Sequence, residues 1–174
     1  MAGTVTLSKG MPANFEVVIP RLPTMDLLRE TEDLVLHIHE SLIPGMAVET
    51  IARTWQGIKV DEQPGTGITF EDWRIDFTVD AELKNWRILQ QWFNYMTAAK
   101  ANQTEHLLPS QYKVNANLIV YDNYRTPLIK VSFIDAWIQT LGEIRVSNRE
   151  GTSLLESSAI FKYNRYEISA MTED

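Results

Sequence analysis

The stretch Thr69–Asp80 reads TFEDWRIDFTVD, and from Trp73 onward it alternates without a break. Trp73, Ile75, Phe77 and Val79 fall on one side; Arg74, Asp76, Thr78 and Asp80 fall on the other. A period of two marks a strand with one buried face. The apolar set is therefore assigned to a core and the polar set to water. Taken as a single strand from Ile68 to Asp80, it would span about 43 Å at 3.3 Å per residue. Typical strands run to roughly half that. So long a strand in a small sheet leaves unpaired edges, which are removed by closing the sheet or by completing it with a neighbouring chain. Association with other copies is expected on that ground.

Other strands surround this one. Phe15–Pro20 is short and is punctuated by Pro20 and Pro23, with a loop following to Thr31. Leu34–Ile43 alternates and stops at Pro44-Gly45, a turn signal. From Met46 to Gly67 comes a long, weakly patterned connection holding Trp55, Gly57, Pro64 and Gly65. Connections of this length are functional loops or strand pairs projecting from the body. After Asp80 the period becomes helical: Trp86, Leu89, Trp92, Phe93 and Met96 share one face. The helix is placed over 83–99, about 24 Å long at 1.5 Å per residue. Beyond a polar loop from Ala101 to Ser110, strands are placed at Tyr112–Tyr121 and Pro127–Trp137, joined by a hairpin at Asp122–Arg125. Ile144–Ser147 and Leu154–Ile168 complete the sheet across a turn at Asn148–Gly151, and 169–174 reads as a flexible tail. The expected architecture is mainly β, a β-sandwich or barrel with one flanking helix. Trp73, Phe77, Trp86, Trp92 and Trp137 supply its core.

Composition narrows the function classes. The chain has 174 residues, enough for one domain over 1–174 with a sizeable core. It carries 23 acidic and 16 basic residues, a net charge of −7, with no basic stripe. Specific binding to phosphate backbones is disfavoured by that balance. No apolar run is long enough to span a bilayer, and MAGTVTLSKGMPANF lacks the apolar core of a secretory signal. With no cysteine, disulfides and thiolate metal sites are excluded.

Three constellations invite a chemical reading. His37 and His39 lie on one face of a strand beside Glu40, a pairing found in metal-dependent cupin-like enzymes. Neither Glu49 nor His106 stands at a defining interval, and a bare pair of imidazoles fixes no ligand geometry, so a polar strand face is the simpler reading. The carboxylate pairs Asp76/Asp80 and Glu71/Asp72 could serve acid–base chemistry, but acidic residues on a strand's polar side read first as a solvated face. Gly65-Thr66-Gly67 precedes a strand rather than a helix and lacks a third glycine, which argues against a phosphate loop. Trp55 in the long connection either meets a protein partner or folds back on the body. No catalytic residue, metal or cofactor is assigned.

The order of these features resembles the tail tube proteins of contractile-tailed bacteriophages. The resemblance covers about Ile43 to Ile168. It rests on Ile43-Pro44-Gly45 followed by Glu49 and a long loop, on Thr69-Phe-Glu-Asp-Trp73, and on Gln91-Trp92 in the helix. Tyr112-Lys113, Tyr121-Asp122, and Trp137 with Leu141-Gly-Glu-Ile144 extend it. The family commonly has proline where this chain has Ile138. Such a resemblance implies a structural virion protein, not an enzyme. Its subunits pool strands into a hexameric β-barrel ring, and rings stack into the inner tail tube. That tube encloses the tape measure protein, lies within the sheath, and contacts baseplate and tail terminator proteins. It passes double-stranded DNA without specific binding and inserts in no membrane. Assembly would take place in the host bacterial cytoplasm. The resemblance further implies that Arg74, Asp76, Thr78 and Asp80 face the bore. The projecting segment 46–67, with Glu49, Arg53, Trp55 and Lys59, would reach an adjacent ring. A tailocin or type VI secretion tube would share the fold, and the cupin-like enzyme is the contrasting alternative.

Overall fold

The computed structural model describes residues 14–20, 37–101, 108–146 and 154–171. Among these, β1 (Phe15–Val18), β2 (His37–Ser41), β3 (Met46–Trp55), β4 (Ile58–Phe70) and β5 (Trp73–Thr78) precede α1 (Lys84–Ala101) and the one-turn α2 (Pro109–Tyr112). Then follow β6 (Val114–Tyr121), β7 (Pro127–Leu141), β8 (Glu156–Lys162) and β9 (Arg165–Ala170). The protein is mainly β with antiparallel sheets and one long helix. Seven strands form one path, β1-β6-β7-β8-β5-β2 with β9 added to β7; β3 and β4 pair only with each other. Among the described residues the path does not close, because β1 and β2 are its two ends.

The path folds over along β7. Val131 and Phe133 point inward from its first half, Ala136 and Ile138 from its second. That change from odd to even positions needs one extra residue, and Asp135 supplies it as a bulge at φ 58°. Its amide donates to Asn115 Oδ1 at 3.1 Å. On the opposite edge the chain bends between β8 and β9 at Tyr163-Asn164, where the Asn164 amide donates to the Ile134 carbonyl at 3.0 Å. Asn164 Nδ2 also reaches Asp135 Oδ2 at 2.5 Å. Two bends facing each other let β7 belong to both halves.

The core sits inside this fold. Trp73 stacks on Phe133 with centroids 4.1 Å apart at 12°, and also meets Phe161 at 5.1 Å. Ile75, Phe77, Leu118, Val131, Ile138 and Leu89 are fully buried around them. Each such side chain contributes about 1.5–3 kcal/mol on leaving water. The helix buries Leu89 and Trp92, and the Trp92 indole N–H donates to the Tyr112 carbonyl at 2.9 Å. Trp86 and Trp137 are half-buried against this cluster, and the Trp86 indole N–H donates to the Gly142 carbonyl at 3.2 Å.

Several sequence expectations need correction. The single strand Ile68–Asp80 is two: β4 ends at Phe70 and β5 begins at Trp73. At Glu71-Asp72 the chain passes from the two-stranded sheet to the main path, and the Glu71 amide donates to the Gly45 carbonyl at 3.0 Å. Tyr112 belongs to α2, because Pro109 starts a turn there and Gln111 Oε1 accepts from the Leu108 amide at 2.8 Å. Ile144–Val146 is not a strand: both edges of β8 are already taken, by β5 and β7. Ser169 and Ala170, expected in a flexible tail, pair with Lys130 and Ile129 of β7. Expectations for Asn148–Gly151, for 21–36 and for His106 lie outside the described residues.

Candidate functional site

The most unusual surface is the β3–β4 arm. Its tip, Trp55-Gln56-Gly57-Ile58, has positive φ at both central residues, 50° and 79°, so it is a two-residue turn of the primed type that suits a twisted hairpin. Every residue of β3 is exposed. Trp55 and Ile58 stand directly opposite one another and are 72% and 70% exposed. Nearer the body, Val48 faces Ile68, and both are also open to solvent. The Gly65-Thr66-Gly67 stretch marks an irregularity facing Glu49, where the register jumps from Val48↔Ile68 to Thr50↔Pro64. A Cβ on Gly65 would stand 2.9 Å from the Glu49 carbonyl oxygen, so glycine there permits close backbone approach. Of the segment expected to project, Glu49, Arg53 and Trp55 lie on β3, while Lys59 lies on β4 opposite Thr54.

The root of the arm is tightly furnished. Tyr163 Oη donates to the Glu71 carbonyl at 2.7 Å, and Tyr166 Oη donates to the Pro44 carbonyl at 3.1 Å. Glu71 directly follows the hairpin's outermost pair, Met46↔Phe70, and Pro44 lies two residues before it. Phe70 packs on both tyrosines, at 6.0 and 5.4 Å between centroids. Lys162 pairs with Asp72 beside them. Burial, with the charges of Tyr166, Asp72 and Glu71, pushes the Tyr163 hydroxyl up to about 12. Sequence reading missed Tyr163 and Tyr166; two tyrosines three apart carry no motif, and only the fold brings them to Pro44 and Glu71.

The second surface is the outward face of β2, β5 and β8. Glu40, Asp76 and Ser158 lie side by side in register, as do His37, Thr78 and Glu156. Arg74 makes a two-pronged contact to Asp76, with Nε at 3.1–3.2 Å and Nη2 at 3.0 Å. That bond and the Asp76 charge raise the Arg74 pKa further above its ordinary value, with a smaller contribution from Glu40. Asp80 departs from the expected row: β5 stops at Thr78, and the Asp80 carboxylate accepts from the Asn85 amide at 3.4 Å at the entry to α1. Asn85 is buried there, donating from Nδ2 to the Thr78 carbonyl at 2.8 Å. His37 and His39 are both exposed on β2. Among the described residues no three His, Asp or Glu side chains come together as a metal site.

Among known proteins, the tail tube terminator protein of Enterobacteria phage T4 is 25% identical over 164 residues, which is 89% of this chain and 86% of that protein. In fold the chain resembles the sheath/tube terminator of an extracellular contractile injection system, with a TM-score of 0.64, 12% identity, and coverage of 95% and 100%. It likewise resembles the tube-terminating cap of the anti-feeding prophage, with a TM-score of 0.61, 12% identity, and coverage of 97% and 96%. The family model that matches is that of the phage tail tube protein, over residues 10–169. These are structural tail proteins, not enzymes. With a mainly β path left open at β1 and β2, an exposed arm, and a family match spanning nearly its whole length, the chain belongs to the phage tail tube protein family.

Proposed function

We propose that this chain forms a ring that continues the β-walled tube of a contractile phage tail and sits at the tube's end, as a terminator. The observation that carries this is the likeness to the phage T4 tail tube terminator over 89% of the chain. An open sheet path supports ring formation, because a head-to-tail contact closes when its rotation matches the symmetry, and closure consumes the free edges. Six subunits would pool their strands into one barrel. The ring would be a virion component, assembled in the host cytoplasm and contacting tube, sheath, tape measure and baseplate-side proteins. A second reading, a repeated ring along the tube, is supported by the family description and by an arm able to reach the next ring. The same subunit in a tailocin or type VI device would pass no genome.

Within the ring, Arg74, Asp76 and Thr78 are assigned to the bore, and Glu49, Arg53, Trp55 and Lys59 to the contact with the neighbouring ring. Acidic Glu40, Asp76 and Glu156 outnumber the basic groups in the two register rows that cross β2, β5 and β8. Such a wall repels DNA and leaves it mobile, since retention requires Lys and Arg to displace counterions.

The test is quantitative mass spectrometry of purified particles, with gold-labelled antibody seen by electron microscopy. Copies equal to one ring per tail, with gold at one tube end, are expected. Many rings' worth of copies, with label along the tube, would overturn the terminator position in favour of the repeated ring. Absence from particles would overturn both.

A further inference from the structure

The arm touches the body almost only at its root, yet that root is unusually specific. Two hydroxyls three residues apart, Tyr163 in the β8–β9 bend and Tyr166 on β9, each donate to a carbonyl on a different side of the hairpin: Glu71 after β4 and Pro44 before β3. Phe70, the last residue of β4, is packed against both phenol rings. The tyrosines are in turn seated on Phe133 at 5.1 and 6.0 Å, and Phe133 is stacked on Trp73. A continuous line of rings thus runs from the buried core to the base of an exposed arm. Two anchors on two legs resist rotation in a way that one anchor cannot.

We propose that Tyr163 and Tyr166 are positioning residues that set the angle of the β3–β4 arm to the body before any neighbour binds. The inference rests on the reading of the arm as a contact to another copy. A segment already held in its docking orientation loses less conformational freedom on association. Hydrogen bonding, rather than ring packing, supplies the directional part, because carbonyl acceptance constrains where each hydroxyl lies. Phenylalanine at both positions would keep the packing and lose the direction.

Because the chain has no native cysteine, labels can be placed cleanly. Nitroxides at Thr54→Cys on the arm and Gln139→Cys on the body give a distance distribution by pulsed electron–electron resonance. In the dispersed parent chain one narrow distribution is expected. In Tyr163→Phe/Tyr166→Phe it widens roughly twofold or more, with the thermal midpoint nearly unchanged. The concentration needed for ring assembly or stacking rises about tenfold in the same variant, because the arm must then be ordered during docking. An unchanged width overturns the proposal, as does a widened distribution with unaltered assembly. If the double variant unfolds, Tyr163→Phe alone decides, with a smaller widening expected and none counting against it. The distance measurement needs no assembly, so a parent chain that forms no rings would count against the ring reading while the clamp is still judged on its own.

Discussion

Trp73 joins the two halves of the fold. Its ring stacks on Phe133 and meets Phe161 at a tilt of 39°, and its indole N–H donates to Ser41 Oγ at 3.1 Å. Removing it leaves a void bordered by elements that cannot collapse together, so Trp73→Ala is expected to cost about 3–5 kcal/mol. Urea unfolding followed by circular dichroism checks this; a loss below about 1 kcal/mol would mean the halves do not depend on this contact. At Tyr163 the effect depends on pH. The folded chain holds its phenolic proton up to about 12, against an ordinary 10, chiefly through burial. The associated stability is complete below pH 10 and falls away as pH rises towards 12. The side chain is only half-buried, so after solvent screening the loss is on the order of 1 kcal/mol. Tyr163→Phe should show a shallower alkaline decline than the parent in urea titrations across that window. Parallel curves would argue against it.

Among the elements, legibility followed burial. Trp73, Ile75 and Phe77 announced β5 because one face meets a core, and Leu89 and Trp92 announced α1 for the same reason. The segment Met46–Gly67 reads in sequence only as a long connection, a functional loop or a projecting strand pair, because neither face of β3 is buried and no alternation is selected in Met46–Trp55. Its turn, Gln56-Gly57 between Trp55 and Ile58, was the available sign, and a glycine at the second turn position is what that geometry asks for. The bulge at Asp135 was invisible for another reason: a non-glycine residue at positive φ has no marker in sequence, and it moved Trp137 out of phase with the core positions Ala136 and Ile138. An element with nothing of its own to bury is a candidate to be buried by others. Trp55→Ser/Ile58→Ser should therefore leave the thermal midpoint within about 2 °C while abolishing stacking in negative-stain images. Normal stacks from that variant would remove the arm from the contact.

For the whole molecule, charge is the governing quantity. The net charge of −7 makes free copies of the chain repel one another and disfavours retention of DNA. Converting Asp76 and Glu156 to lysine would place two new cations per subunit on the face assigned to the bore. Assembled rings of this variant should bind duplex DNA at low salt, with affinity falling steeply as salt is raised. Filter binding or gel retardation reads this directly, and no retention at any salt would place those side chains away from the DNA path.

The strand β7 carries one more consequence. It is 15 residues long and serves both halves of the path, flanked first by β6 and β9 and then by β8. Two separate sheets held only by side chains could slide past each other under load. Here a single covalent backbone crosses the seam. Tension that pulls the halves apart must shear several hydrogen bonds at once on both flanks, so the subunit behaves as a tied frame that resists deformation.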